Sequence, residues 1–528
     1  MLAGPRGTRF PEMSGLFQRI GIVSAATVLS RVLGLARDIL MFAVFGASAL
    51  NSAFIFAFTL PNLFRRLLGE GALTAAMVPT LSEELERNRR AGIFALLNQV
   101  MTWLAMVLIL LVGVGVLLFS AILWIPGLDE RWYLGANLGR ILFPYLFFVC
   151  LAAMLAAALN VLQRFAVPAL SAVWLNVSML VSLGVLGGLL AATPEGKMAF
   201  LCFGVLAGGV LQVAAPVWAL RREGWRPGID ARVSPGVREI SGLMLPGLAG
   251  AAIFQINVVV SRFLAFSLDE SAVAILYLAS RLMELPLGIF TIAVTTVVFP
   301  LIAGHAARGD YAGFAAGYQK GVGLILAITV PAAAGIILMR EPIVVCLFQW
   351  GAFDAADTRE TLPVLAVFAL SLPFYSLAAH QTRGFYALKD MMTPVRIAGV
   401  GFLLNLVLSL TLMQFWGIVG LALANLFSVT VQSVLLQARL NRRIAGTAFR
   451  RQAGDLLKIA TATAVMSVAV YFALMGLEAV LTEGRWAEFT AVFGAIPAAV
   501  CLYGGMIWVL RLKGREEVEA LVRRFLGN

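Results

Sequence analysis

Residues 17–46 read FQRIGIVSAATVLSRVLGLARDILMFAVFG. Past Arg19 this run is apolar enough, and long enough, to cross a bilayer as a helix, which takes about 20 residues. Yet it holds Arg31, Arg37 and Asp38 in its interior. A charge at the bilayer centre costs about 2.5 to 3.5 kcal/mol on insertion scales, so such residues generally face a cavity and mark a path for a solute. Six more charges fall in stretches that otherwise read as spans: Arg65, Arg66, Glu70, Arg262, Arg281 and Glu284. Arginines outnumber acids six to three in this set. Guanidinium stays charged and pairs bidentately with phosphate or carboxylate oxygens, so the excess implies an anionic guest.

The rest of the chain agrees with a membrane setting. Of 528 residues 61% are hydrophobic and 13% charged, and the mean hydropathy is +0.91, too apolar for a soluble globule of this size. Apolar runs predict spans near 17–46, 52–80, 96–124, 136–160, 168–191, 199–220 and 240–266. Seven more follow near 272–302, 318–340, 360–386, 394–413, 418–438, 455–476 and 487–510. The expected fold is an all-α polytopic membrane protein of fourteen transmembrane helices, with both termini on one side.

Loop charge orients it. With the termini in the cytoplasm, 30 of the 40 Lys and Arg residues lie on that side, against Arg131, Lys197, Arg340, Arg359 and Arg485 on the other. That bias follows the positive-inside rule. The net charge of +12 is therefore mostly topological and leaves no nucleic-acid partner to be inferred from it. The first run is too long for a cleavable signal and lacks a small-residue cleavage site, so it is expected to stay as a helix.

Chemistry beyond the arginines is sparse. Cys150, Cys202, Cys346 and Cys501 are far apart and lack CxxC spacing, and His305 and His380 stand alone, so no metal site or cofactor is expected. Nucleophile elbow, Walker loop and HExxH are all missing from the sequence, and with them any argument for an enzyme or for ATP-driven transport.

Ser30-Arg31 recurs as Ser261-Arg262, and Val78-Pro79 as Phe299-Pro300. Leu162-Gln163-Arg164-Phe165-Ala166-Val167-Pro168 aligns with Leu388-Lys389-Asp390-Met391-Met392-Thr393-Pro394 at an offset of 226. A repeat with an even number of helices enters the membrane in one direction twice, so the copies are related by a pseudo-two-fold along the membrane normal. The expected plan is an N-lobe of six helices over 1–220, a cytoplasmic linker over 221–239, and a C-lobe of six over 240–440. Two extra C-terminal helices and a cytoplasmic tail occupy 441–528. Lobes of this kind bind substrate between them and open alternately to the two sides.

Each charge also has a plainer reading. By helical geometry Arg31 and Asp38 share a face while Arg37 points about 120° away from Arg31. Arg66 with Glu70, and Arg281 with Glu284, have the spacing of simple intrahelical salt bridges. Arg262 is near enough to the outer loop at Ser267 to reach the interface by snorkelling, and equally suited to line a cavity. Pro61, Gly69 and Gly71 would interrupt the second helix, and broken helices often line transport cavities.

The runs Ser30-Arg31-Val32-Leu33-Gly34-Leu35-Ala36-Arg37-Asp38 and Pro61-Asn62-Leu63-Phe64-Arg65-Arg66-Leu67-Leu68-Gly69-Glu70-Gly71-Ala72 closely resemble the MurJ (MviN) family of bacterial lipid II flippases. Arg281-Leu282-Met283-Glu284-Leu285-Pro286 and Phe385-Tyr386-Ala387-Leu388-Lys389-Asp390 extend the likeness, which covers essentially the whole chain. It implies membership of the multidrug/oligosaccharidyl-lipid/polysaccharide (MOP) exporter superfamily. It also implies the substrate: undecaprenyl pyrophosphate bearing the disaccharide pentapeptide of peptidoglycan, moved from the inner to the outer leaflet of the cytoplasmic membrane. On this resemblance Arg31, Arg37, Arg65 and Arg281 are substrate-binding cavity arginines. Asp38, Glu70 and Glu284 are charge partners or gate elements, and Arg66 and Arg262 join that second group. Membrane lipids and cell-wall synthesis proteins are the implied partners. Where relatives carry an acid before the Ala-Phe of the second helix, this chain has Asn51-Ser52-Ala53-Phe54.

Two competing classes make different demands. A multidrug or other lipid-linked oligosaccharide exporter of the same superfamily would favour, for cationic drugs, an acid-rich or aromatic cavity. A non-transporting membrane scaffold would leave every cavity arginine individually dispensable.

Overall fold

The computed structural model describes residues 13–67, 73–480 and 485–510. All regular structure among them is helical. The helices are α1 (Met13–Phe45), α2 (Ala49–Phe64), α3 (Leu73–Ile122), α4 (Glu130–Leu142) and α5 (Tyr145–Val161), then α6 (Ala166–Leu190) and α7 (Pro194–Arg222). They continue with α8 (Pro235–Leu268), α9 (Ala272–Ala307), α10 (Tyr311–Leu338), α11 (Arg340–Phe348), α12 (Ala355–Ala387), α13 (Met392–Arg443) and α14 (Ala453–Val480), and end with α15 (Glu488–Val509). Among the described residues nine helices are long and apolar enough to cross a membrane, or ten if α4 and α5, bent by 40°, form one span. That bend sits at Pro144, which offers no backbone N–H to the preceding turn.

Two helices are far longer than a bilayer requires, and each contains a break. In α13 the break is Gly417, at φ 53° and ψ −129°. In α3 it is Arg89, at φ 52° and ψ −150°. The stretch before Arg89 reads as a loop by hydropathy, yet is helical. Leu81-Ser82-Glu83-Glu84-Leu85-Glu86-Arg87 is built of strong helix formers, and Glu83 pairs with Arg87 one turn on at 3.5 Å. The expected interruption of the second helix begins as a widened turn over 65–67.

The chain divides into two compact units, the first comprising Met1–Met41 with Ala53–Gln255 and the second Phe42–Ser52 with Ile256–Asn528. In the first unit α5 is the most enclosed element, with Tyr145, Leu146, Cys150, Met154 and Leu155 all buried. Its outward surface is apolar as well: Ile109, Leu110, Leu117 and Leu118 of α3 are each more than 60% exposed, a face suited to lipid and costly in water. In the second unit Phe314, Tyr318, Ile302 and Leu436 form the heart of one core. Met339, Met466 and Val470 form another, under α14 and α15.

The C-terminal end of α1 and the start of α2 belong to the second unit. Phe42 packs edge-on against Phe348 and Phe353, with centroids 5.6 Å away in both cases. Ala352 donates its N–H to the Ala43 carbonyl at 2.8 Å, and Ala47 donates to Asp357 Oδ2 at 3.0 Å. Two glycines permit this approach. Gly351 has φ +58°, and a Cβ there would lie 2.3 Å from the Ala43 oxygen; Gly46 has φ +62°, with 2.7 Å to the Ala352 oxygen.

The internal repeat is visible in local structure. Gln163 and Lys389, 226 positions apart, are both non-glycine residues with positive φ, at 62° and 59°. Each follows a helix end, Val161 and Ala387, and each precedes a loop residue in an ion pair. Arg164 binds Glu223 at 2.7 Å, whereas Asp390 binds Arg443 at 2.6 Å. The two loops carry the same link with its charges exchanged.

Candidate functional site

In α1, Arg37 and Asp38 are 7% and 1% exposed. Arg37 donates to Asp38 Oδ1 from Nε at 3.0 Å and from Nη2 at 2.6 Å. The helical wheel separates neighbours by about 100°, but the arginine side chain is long enough to fold back across that angle. The remaining arm, Nη1, donates to Asn176 Oδ1 of α6 at 3.0 Å. Asn176 in turn donates Nδ2 to the Ser30 carbonyl at 3.1 Å, beside Gly34. Sequence reasoning missed Asn176. Its signal was an amide in the middle of an apolar run, with a counterpart at Asn405.

Arg31 is half-buried one turn above Gly34. Arg65 is half-buried in the widened turn and donates Nε to Asn62 Oδ1 at 3.2 Å. Arg65 and Arg37 both lie within electrostatic reach of the buried Tyr145 hydroxyl, so two of the expected substrate arginines share a neighbourhood in the first unit. Tyr145 donates to Gln212 Oε1 at 2.9 Å, and Gln212 is anchored to the Ser171 carbonyl at 3.0 Å. This polar chain links α5, α6 and α7. Arg66 is exposed; Glu70, its expected partner, lies outside the described residues.

In the second unit Arg281 donates Nη1 to Glu284 Oε2 at 3.0 Å, with side chains 36% and 43% exposed. Arg281 and Arg262 both stand against the ring of Tyr277, 5.7 and 5.4 Å from its centroid. The intrahelical pair expected of Arg281 is present, and Arg262 shares an aromatic partner with it. Glu284 also falls within electrostatic reach of Tyr375, whose hydroxyl donates to Asn425 Oδ1. Ser52 is fully buried and its Oγ accepts the Ala274 N–H at 3.2 Å.

The histidines are structural. His380 stacks on Tyr318 with centroids 4.8 Å apart and bonds the Tyr318 carbonyl through Nε2 at 3.0 Å. His305 caps a turn through Asp310 at 2.7 Å. Among the described residues no three His, Cys, Asp or Glu side chains gather as a metal site would require.

Solved structures share this helical architecture. One, described as lipid II flippase MurJ in an inward closed conformation, has a TM-score of 0.77 at 24% identity, covering 94% of this chain and 99% of its own. Another, an inward-facing multidrug resistance MATE family transporter of the MOP superfamily, has a TM-score of 0.64 at 13% identity, covering 79% and 95%. The chain therefore shares the fold of these two structures. The family described as lipid II flippase MurJ matches residues 41–490. A Bdellovibrio bacteriovorus protein named "Probable lipid II flippase MurJ" is 32% identical over 521 residues, 95% of either chain. A Rhizobium meliloti protein of the same name is 34% identical over 503 residues, 92% of each. This chain belongs to the lipid II flippase MurJ family.

Proposed function

We propose that this protein moves lipid II from the inner to the outer leaflet of the bacterial cytoplasmic membrane, making and breaking no covalent bond, with both termini in the cytoplasm. The observation that supports this reading is sequence identity of 32% and 34%, over more than nine-tenths of the chain, to relatives named "Probable lipid II flippase MurJ". The residues are chemically suited to it. Lipid II presents a pyrophosphate, and Arg31, Arg37, Arg65 and Arg281 are its contacts in this proposal; planar guanidinium groups match phosphate oxygens in pairs. Asp38 and Glu284 hold two of these arginines, and Glu70, Arg66 and Arg262 complete the charged set. The N-lobe (1–220) and C-lobe (240–440) work by alternating access, and the tail helices over 441–528 stand outside the repeat. Enzymes of cell-wall synthesis are the partners that such a cargo requires.

The test is an accessibility assay for lipid II in cells depleted of this protein. Substrate should accumulate on the inner leaflet and be restored to the outer one by the wild-type chain. Arg281→Glu should express at the normal level and fail to restore it. Outer-leaflet lipid II at its normal level after depletion, or full rescue by Arg281→Glu, would sink the proposal.

A further inference from the structure

Asn176 does two jobs with one amide. Its Nδ2 donates to the Ser30 carbonyl at 3.1 Å and its Oδ1 accepts from Arg37 Nη1 at 3.0 Å. A carbonyl only accepts and a guanidinium only donates, so the amide orientation is fixed by its partners. The residue type follows from the same constraint. An aspartate would lose the donation and a leucine both bonds. Asn176 is 6% exposed, and the bridge is sheltered from competing water.

The repeat supplies a comparison inside the same molecule. Asn405, the matching amide of the second unit, also reaches back to the first helix of its unit, donating to Ser261 Oγ at 3.1 Å and Asn257 Oδ1 at 2.9 Å. Its Oδ1, however, is buried with no hydrogen-bond partner among the described residues. The staple between helices is common to both units, while the acceptor atom is turned to an arginine in the first alone. Stapling therefore does not require what Asn176 does for Arg37.

From this contrast we infer that Asn176 is a positioning residue for anion binding: it fixes the direction of the Arg37 guanidinium, one edge of which Asp38 already occupies. The inference rests on the reading of Arg37 as a pyrophosphate contact. Without Asn176 the guanidinium keeps its charge, its carboxylate and the weak contact of Nη1 with Met179 Sδ at 3.9 Å, but loses the amide acceptor that directs that third nitrogen.

The experiment measures binding of purified lipid II to the full-length protein in nanodiscs, for wild type, Arg37→Ala, Asn176→Ala, the double variant and Asn405→Ala, with thermal unfolding recorded in parallel. A hydrogen bond to a charged group sets the scale, so Asn176→Ala should weaken binding about tenfold. The double variant should bind no more weakly than Arg37→Ala. Asn405→Ala should lower the unfolding temperature and leave affinity unchanged. Equal weakening by Asn176→Ala with and without Arg37, or none at all, overturns the positioning role. Failure of a different kind, in which wild type does not bind lipid II or Arg37→Ala binds like wild type, overturns the substrate reading beneath it. Should Asn176→Ala not yield folded protein, Asn176→Gln, which moves both amide groups outward by one methylene, carries the same test.

Discussion

Neutralising the Arg37–Asp38 pair should separate folding from transport. The two side chains are 8% and 1% exposed and meet at 2.6 Å, so each is a charge that the other makes tolerable inside the protein. Breaking a buried pair from one side costs about 3 to 5 kcal/mol. Arg37→Met should fall near the lower end, since Asp38 has further interactions, with about 1 kcal/mol added for the acceptor freed on Asn176. Asp38→Asn should cost less, because Arg37 retains Asn176 and the new amide still offers an oxygen. The double variant Arg37→Met/Asp38→Asn removes both charges at nearly constant volume, and such replacements are often neutral. It should therefore be more stable than Arg37→Met alone, with a coupling of about 2 kcal/mol or more. Unfolding of the purified variants measures this, and complementation of a depletion strain measures function. The double variant should fold and fail to complement. If the single effects simply add, the pair is not coupled and the electrostatic account is wrong. A double variant that complements fully would remove Arg37 from the substrate contacts.

The exchanged loop pair gives a second prediction. Asp390 accepts from the Met392 and Thr393 N–H groups at 3.1 and 2.9 Å as well as from Arg443. Asp390→Asn, which still caps, should cost less than 1 kcal/mol because Arg443 is half-exposed, and Asp390→Ala about 1 kcal/mol more. Burial alone would raise the Asp390 carboxyl, but the Thr393 bonds and the Arg443 charge hold it below the ordinary range on balance. Its folded value thus lies under the unfolded value of about 3.9, so the advantage of wild type over Asp390→Asn should be constant above that pH and fade as pH falls through the folded value; an advantage that grows on acidification would refute the assignment. Gly351→Ala forces a non-glycine residue to positive φ and places its Cβ 2.3 Å from the Ala43 oxygen. It should lower the unfolding temperature more than Gly454→Ala, where a Cβ meets nothing within 4 Å. Reversing the first-unit pair singly, as Glu223→Arg, sets three cations together, since Glu223 binds both Arg164 and Arg90; lower expression is expected, with partial recovery on adding Arg164→Glu.

Hydropathy located the long apolar helices, because twenty apolar residues have few other destinations than a bilayer, but of the fourteen spans expected nine or ten are long and apolar enough among the described residues, and no span was expected over α11 (Arg340–Phe348). It read the segment before Arg89 as a loop, since it weighs transfer to lipid and is blind to the helix propensity of Glu, Leu and Arg. The repeat was legible from a few matched residues, and the positive φ shared by Gln163 and Lys389 gives that match a backbone meaning. Site reading was less complete. Charges in spans announce themselves by their cost, so the arginines stood out. The neutral groups around them did not: Asn176, Tyr145 and Tyr277 are ordinary residues whose importance lies in contacts far along the chain for the first two, 139 positions from Asn176 to Arg37 and 67 from Tyr145 to Gln212, and in ring geometry for the third. Wheel geometry also placed Arg37 and Arg31 on different faces without revealing that Arg37 can fold back onto its own neighbour.

The two units show how a duplicated frame becomes asymmetric. Each has an amide that ties back to its first helix, Asn176 of α6 and Asn405 of α13, and each has a glutamine bonded to a tyrosine, Gln212 to Tyr145 at 2.9 Å and Gln437 to Tyr318 at 2.6 Å. These bonds are neutral and can be satisfied within a unit. The charges follow no such symmetry. The first unit places Arg37 on the amide itself, with Asp38 to balance it; the second places Arg262 and Arg281 about a tyrosine ring. A buried amide already satisfied on one side is a favourable place to add a cation, because its free oxygen offsets part of the desolvation of the new charge. The neutral frame thus comes before the charges in the physical logic. Variants that disturb it should lose stability in both units alike, whereas variants of the arginines should lose function according to the unit in which they stand.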